Sequence, residues 1–544
     1  MTQPSSAVKV AIIGSGLAGL TAAHLLANAS VDVHLFEKAP SLGMDAASIS
    51  VGAEEKNIRI DVPMRSFMSG YYDRLTKMYK HLNISVKRAN FSFGWYTIHS
   101  PYKSGSSYDP ILLKPQDVPE KSHTSSYLLY SGSRSVGTLS RYTKARHSVS
   151  GFLIWLYHST IVTLSYFQLL ILAAWHHTRG NLSNDRHRIA TMTLGQWFQS
   201  NYFHPFFVLH VFVPLFAAVC TNSWASMLSY PAVDVLGELL SFYFIVIIPK
   251  VDGSVNGLPE YIAMGLFNES YIVAQGVEAV VRQLIAPVKN IHLGTEIVSM
   301  EPVFQGEDDP LIRVIDATGQ AYVFDHIVFA TQGNQALQLI QRYRDTVLAH
   351  QGDSQTVQRI VCQLEDQMST LSRFQYDTSL VINHKDTGLL PRDRTSWRAL
   401  NLATLDKSIK LTDTNNIIPY PHDTTMTTHI LNMTHTDIGS DTVYLQTTNP
   451  IASPKPESIL SLSWFQRATV TLDSKEALKD LFCSSPSNPC GKILGDRQGK
   501  ARLWFVGSYA WSGIPLLEGC VVSAEKVVVE GIGQREGIEV TIPW

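Results

Sequence analysis

The sequence predicts an α/β protein. A Rossmann-like nucleotide domain is assembled from discontinuous segments, and a mixed α+β substrate domain stands beside it. Three features predict this. Residues 8–37 read as strand, glycine turn, helix, strand and acid. A second strand running into glycine, Leu503 to Gly507, recurs near the C-terminus. Between them, residues 370–470 alternate short β-like runs with polar turns, the pattern of a second sheet.

In the first segment the apolar run Val8–Ile13 ends in Gly14-Ser15-Gly16-Leu17-Ala18-Gly19, and a helical pattern follows through Leu20, Ala23 and Leu26. A second β-like run, Val31–Phe36, is closed by Glu37. This is the order a dinucleotide site needs. Gly14 permits the tight turn, Gly16 lets the backbone approach a pyrophosphate, and Gly19 lets the helix pack close to the strands. The helix N-terminus offers free N–H groups and positive dipole character to a diphosphate. Glu37, 23 positions after Gly14, sits where a carboxylate can accept hydrogen bonds from ribose hydroxyls. The alternative is a structural βαβ unit that binds nothing.

The chain has 544 residues, enough for two or three domains and a large core. Its formal net charge is −2 and it carries no basic stripe interleaved with aromatics, so nothing points to nucleic acid. Charged residues make up only 17% against 45% hydrophobic, so extra apolar surface must go into a large core or into lipid. The five cysteines are scattered without a CxxC pair, which suits free thiols in a reducing compartment. The N-terminal MTQPSSA is short and polar, so no signal peptide is expected, and the chain reads as intracellular and membrane-associated.

Along the chain, residues 38–100 continue the nucleotide domain, with a helical stretch near Tyr72–Leu82, and Ser100–Lys121 reads as a polar loop. Gly151 to Trp175 is a run of 25 residues without a formal charge, with Arg141, Lys144 and Arg146 before it and Arg179 after it. At ~1.5 Å per residue it is long enough for a ~30 Å hydrocarbon core. Further apolar runs follow at Phe203–Cys220 and Leu239–Pro249. A single crossing would leave the N- and C-terminal parts of one nucleotide site on opposite sides of a membrane. Attachment to a membrane surface through 151–175 is therefore favoured, ahead of a buried helix roofing an apolar cavity and of a paired span. From Tyr271 onward α/β character returns: a helix at Val277–Leu284, a strand at Ile291–Met300, a hairpin over Leu311–Tyr322 and a buried strand over Phe324–Thr331. The expected divisions are 1–100, 251–335 and 491–544 for the nucleotide domain, 101–250 for a helical, membrane-facing region, and 336–490 for the substrate domain.

The layout of Gly14–Gly19 with Gly507…Gly513…Glu518-Gly519-Cys520 resembles the flavin-containing amine oxidoreductase superfamily, which includes monoamine oxidases, protoporphyrinogen oxidase and carotenoid desaturases. Asp325-His-Ile-Val-Phe-Ala330-Thr331 resembles its internal Asp-x-Val-Val-x-Ala-Thr element. Leu293-Gly-Thr-Glu-Ile297 resembles the strand whose backbone meets adenine. A narrower resemblance, to the predicted FAD/NAD(P)-binding branch that accompanies cyclopropane fatty acid synthases, rests on several further motifs. They are Ile60-Asp61, Thr193-Leu-Gly-Gln196-Trp197-Phe198, Val273-Ala-Gln-Gly276, His384-Lys-Asp386…Leu390-Pro391-Arg392…Trp397…Asn401 and Val506-Gly507-Ser-Tyr. The resemblance implies FAD as cofactor. It implies binding by Gly14, Ser15, Gly16, Leu17, Ala18, Gly19, Glu37, Lys38, Ile297, Gly507, Glu518 and Gly519. Two positions depart from the superfamily pattern. Leu42-Gly43-Met44 stands where a Gly-Gly-Arg-like run is expected, and Pro63 replaces a glycine near Asp61.

A flavin supplies the redox chemistry while the protein supplies position, polarity and exclusion of water. The expected reaction is hydride removal from a small lipophilic or amine substrate, amine oxidase-like or desaturase-like. His384 is the candidate acid or base, since it falls on the family-matched segment and a neutral imidazole can move a proton. No histidine and acid spacing on one helix face supports a metal site, and no GxSxG or GxxxxGK[ST] sequence supports a hydrolase or kinase. A second reading stays open, motivated by Met44 and Pro63: a redox-silent nucleotide-binding scaffold or membrane adaptor with a flavoprotein fold.

Overall fold

The computed structural model describes residues 8–51, 58–68, 72–99, 124–131, 138–139, 149–236, 270–305, 309–350, 354–406, 423–435, 442–484 and 492–544. The polar segment Ser100–Lys121, the apolar run Leu239–Pro249 and Cys490 lie outside these residues.

Its centre is a five-stranded parallel sheet in the spatial order β3–β2–β1–β4–β5. These strands are β1 (Lys9–Ile13), β2 (Asp32–Phe36), β3 (Asn290–His292), β4 (His326–Phe329) and β5 (Leu503–Phe505). In β1, Val10 to Ile13 are all buried, as expected of a strand covered on both faces. Helix α1 (Leu17–Asn28) crosses from β1 to β2 and buries Leu20, Ala22, Ala23, Leu25 and Leu26. The order runs outward from β1 to β3 on one side and through β4 to β5 on the other. The reversal falls between β1 and β4, and a crevice opens at that point beyond the carboxyl ends of the strands. An antiparallel meander, Ile297–Val303, Leu311–Asp316 and Ala321–Phe324, links β3 to β4.

The second sheet has eight strands, in the order 459–469, 375–384, 445–448, 426–430, 400–405, 93–98, 124–130 and 138–139. Among its pairings only Leu400–Leu405 with Phe93–Ile98 is parallel. The expected domain divisions shift accordingly. Residues 93–98 and 124–130 belong to this sheet rather than to the flanking regions. Helix Gly333–Leu348 joins the nucleotide core instead of the substrate domain, burying Ala336, Leu339, Ile340 and Tyr343 in the core that contains β1. Hydrophobic burial decides this, because the apolar face of that helix matches the parallel sheet.

A helical unit fills residues 149–236. Thr193 and Gln196 form a reciprocal capping box at the start of helix Leu194–Ser200, and Trp197, Phe198, Phe203, Phe207, Phe212 and Phe216 make an aromatic core. The long helix Val149–Thr178 packs on this unit through one ridge, Ser165, Leu169, Ala173 and His176. It lies lengthwise: His158 stacks on Phe206 with ring centroids 4.1 Å apart, and Gln168 Nε2 donates to the Asn201 carbonyl at 2.7 Å. The described cysteines, Cys220, Cys362, Cys483 and Cys520, are free thiols.

Candidate dinucleotide and substrate site

A cavity of about 910 Å³ occupies the crevice between the parallel sheet and the mixed sheet. Its floor is built by residues that follow the carboxyl ends of the strands: Gly14–Ala18 after β1, Glu37 and Lys38 after β2, Ala330 and Thr331 after β4, and Gly507 after β5. Ile297 lines it as well.

The glycines at β1 are required by close approach. Gly14 has φ +102°, and a Cβ there would meet the Ala330 carbonyl oxygen at 3.0 Å. A Cβ on Gly19 would stand 2.0 Å from the Gly14 carbonyl oxygen, so α1 can lie against the turn only without a side chain. Gly19 does not face the cavity; it sets the distance of the helix. At Gly16 a Cβ would meet nothing within 4 Å, leaving open space beside the backbone. The N-terminus of α1 has no side-chain cap and no acid in its first turn, so its N–H groups are available to an anion. The Glu37 carboxylate is anchored: Oε2 accepts from Ser15 N at 3.0 Å and Ser15 Oγ at 2.6 Å, and Oε1 accepts from Ala39 N at 2.9 Å. Thr295 N donates to the Glu37 carbonyl at 2.8 Å, which brings the segment leading to Ile297 beside the acid.

A second uncapped helix N-terminus meets the same cavity. Pro515, Leu516, Leu517 and Cys520, at the start of helix Leu517–Lys526, line it. Glu518 and Gly519 do not. The Glu518 carboxylate accepts from Arg74 N at 2.8 Å and Leu75 N at 3.0 Å, capping helix Asp73–His81 across the fold. Burial pushes its acid group up to about 7, against the pull of those two N–H donors. Gly519 is a packing glycine, since a Cβ there would sit 3.1 Å from the Trp511 Cβ. The expectation that these two side positions touch the cofactor is thus corrected to one of positioning.

The branch motifs also resolve into scaffolding. Asp61 Oδ1 accepts from Val277 N at 2.9 Å, so Ile60-Asp61 caps the helix that opens after Gly276. Burial pushes the Asp61 carboxyl up to about 6, opposed chiefly by that N–H. Gln446, which the sequence did not single out, stitches this segment to the mixed sheet. It receives Met64 N at 2.9 Å and donates to the Asp61 carbonyl and Asn383 Oδ1, each at 3.0 Å. Trp397 Nε1 donates to the Pro391 carbonyl at 2.7 Å, and the Asn401 side chain bonds the backbone at Arg398 and Thr428.

His384 does not reach the cavity. It is fully buried in the mixed sheet, with Nε2 2.8 Å from Thr447 Oγ1 and Nδ1 accepting from Asp386 N at 3.1 Å, and burial lowers it to about 4. Both ring nitrogens are engaged in structure, which removes the reason for assigning it proton transfer. The imidazole that lines the cavity is His429. Its Nε2 pairs with Thr434 Oγ1 at 2.7 Å, its buried Nδ1 has no partner, and burial lowers it to about 3. Met44 and Pro63 both line the cavity; Met44 is buried against the core, so no cation replaces the expected arginine at that position. Arg65 and Arg467 line it too. Nothing in the local pattern marked them, because one follows an irregular stretch and the other sits in an alternating strand. Among the described residues no three histidines, cysteines or acids come together to hold a metal ion.

Fold and site together define a protein built on a Rossmann-type core. Residues 12–82 match the family model of an NAD(P)-binding Rossmann-like domain. None of the curated proteins compared with the chain matches it in sequence. Solved structures share its fold along nearly the whole length. Cyclohexylamine oxidase from Brevibacterium oxydans is 11% identical over 98% of this chain and 100% of its own, with a TM-score of 0.51. Wild-type putrescine oxidase bound to putrescine is 10% identical over 97% and 100%, with a TM-score of 0.53. A CLA-producing fatty acid isomerase from P. acnes is 11% identical over 96% and 99%, with a TM-score of 0.51. The particular architecture, a discontinuous Rossmann-like core with a mixed sheet closing one crevice, is therefore one shared by amine oxidases and a fatty acid isomerase.

Two outcomes follow from this geometry. Gly19→Ala should cost about 1–3 kcal/mol of stability in denaturant unfolding and abolish dinucleotide retention, because the added methyl forces α1 off the turn. Glu518 is more easily protonated in the folded chain than in the unfolded one. Its contribution is full below its ordinary value of 4.5 and is lost as pH rises through about 7. Melting temperatures of Glu518→Gln across that window should therefore fall less steeply with pH than those of the wild type.

Proposed function

We propose that the chain is an FAD-dependent oxidoreductase that removes hydride from a lipophilic substrate. The observation that carries this reading is the single cavity with two kinds of wall. One end is the glycine turn, Glu37 and Ile297; the other is apolar and aromatic, with Phe91, Phe93, Tyr130, Ala218, Val219 and Leu400. Bound there, FAD would supply the acceptor for the two electrons. The α1 N-terminus suits its diphosphate, Glu37 its ribose hydroxyls, and the N-terminus of Leu517–Lys526 an electronegative atom at the other end. The residues present fit the group, since Gly16 leaves space where a side chain would intrude. The aromatic wall excludes water and holds a C–H bond of the substrate within the cavity. Loss of hydride to the bound flavin, with the proton of the adjacent atom released to solvent, would yield a new double bond.

We also propose that the long helix rests on a membrane surface from which such a substrate enters. Leu153, Leu156, Leu164, Phe167, Ile171 and Trp175 recur at helical spacing on the ridge opposite the packed one, and Leu164, Phe167 and Ile171 are 64%, 56% and 65% exposed. A soluble helix carries polar residues there. Arg179 follows the helix, and Arg141, Lys144 and Arg146 precede it in sequence, a charge pattern that suits anionic headgroups. The helical unit beneath it contributes Ala218–Thr221 to the cavity wall.

Purified protein should show an oxidised-flavin absorbance spectrum and release FAD on denaturation; a colourless protein that fails to take up added FAD would end the oxidoreductase reading. In flotation with vesicles containing anionic phospholipid, the wild type should rise with lipid while Leu164→Glu/Phe167→Glu stays in the soluble fraction. Equal flotation of both would refute attachment through this ridge.

A further inference from the structure

Two guanidinium groups line the cavity without a close ion pair among the described residues. Arg65 stands just before the strand Ser66–Met68, and Arg467 belongs to the strand Ile459–Thr469 of the mixed sheet. Both line the cavity, each keeps a buried Nε without a hydrogen-bond partner, and neither makes an ion pair with any described residue. The Arg467 guanidinium lies over the Phe465 ring, 5.4 Å from its centroid. Asp61 acts on Arg65 electrostatically but directs Oδ1 to the Val277 N–H. Two acids line the cavity: Glu37 is held by Ser15 and Ala39, and Glu296 makes no ion pair with either arginine. Burial lowers both arginines, Arg467 to about 10, and the charge of Arg65 contributes to the lowering of Arg467, which puts the two within electrostatic reach of each other.

Buried cationic groups without an anion are costly, and a planar guanidinium is shaped for two parallel bonds to a carboxylate. The amine end of an amine substrate would be repelled by both. The turn after β1 serves the cofactor's diphosphate, whereas Arg467 reaches in from the mixed sheet, and both arginines act electrostatically on Cys520. We infer that Arg65 and Arg467 form the head-group subsite of the substrate cavity, and that the substrate is a long-chain carboxylate whose tail lies along Phe91, Phe93 and Val219. The inference rests on the oxidoreductase reading for the use made of the bound molecule, but binding can be measured apart from turnover. Arginines and apolar wall together select an amphiphile, which a membrane surface would hold in store.

The test titrates the purified holoprotein with dodecanoate, dodecan-1-ol and dodecylamine, following tryptophan fluorescence and melting temperature. Dodecanoate should bind about tenfold or more tightly than the alcohol, with the amine weakest. Arg467→Gln and Arg65→Gln should each lose about tenfold in dodecanoate affinity, leave dodecanol binding and FAD content unchanged, and Arg467→Lys should recover part of the loss. Should either glutamine variant misfold, the wild type decides: at equal concentration dodecanoate should raise its melting temperature more than dodecanol does. Equal affinity for the three ligands would overturn the inference. So would loss of FAD in both glutamine variants with no change in ligand preference, since the arginines would then serve the cofactor. Protein without FAD would defeat the oxidoreductase reading alone, because the fluorescence titration still reports on the head group.

Discussion

The contact on which the rest depends is the approach of the Gly14–Gly19 turn to the end of β4. Gly14 N donates to the Phe36 carbonyl at 2.9 Å and Ala330 N to the Ile13 carbonyl at 2.9 Å, so the turn is locked between two neighbouring strands. No side chain fits at Gly14 or Gly19 without pushing the turn away from Ala330 or from α1. This one junction fixes the direction of α1 and the seat of Ser15 under Glu37. It also fixes the line along which the chain from residue 290 onward must return to the sheet. The mixed sheet and the helical unit are excursions between strands that this junction has already positioned.

The same junction limits how the long helix can be disposed. Because the N-terminal, middle and C-terminal strands share one sheet, a segment between them cannot carry the chain once across a bilayer. The long helix answers that constraint by lying along the helical unit, one ridge packed and the opposite ridge apolar and bare. The helical unit on which it packs also contributes Ala218 to Thr221 to the cavity wall.

Charge is scarce in this chain, and two groups of buried charges stand in contrast. Asp61 and Glu518 cap helices supplied by distant segments, each accepting backbone N–H groups that would otherwise be orphaned. These bonds tie the irregular stretch before Arg65 and the C-terminal helix into the nucleotide core. Arg65 and Arg467 are the other case, with no such duty among the described residues. The two arginines bring positive charge to the cavity, and that is invisible in a net charge near zero.

What the sequence by itself determined is the local grammar. The glycine turn, its two strands and closing acid, the Thr193–Gln196 cap and the apolar run at 151–175 are each encoded within a few residues by φ, side-chain size or periodicity. Their structures follow from those local rules. The resemblance added Ile297 and Gly507, and both line the cavity. Tertiary structure alone decided which side chains face that cavity. It turned Glu518 and Gly519 away, enclosed His384 in a sheet, moved residues 93–98 and 124–130 into the mixed sheet, and brought Arg65 and Arg467 from distant segments into a shared space. The reason is physical: orientation toward a site depends on which distant element supplies the hydrogen bond or the apolar neighbour. For Glu518 that partner is the start of helix Asp73–His81, and for His384 it is Thr447, neither of which lies near it in the chain.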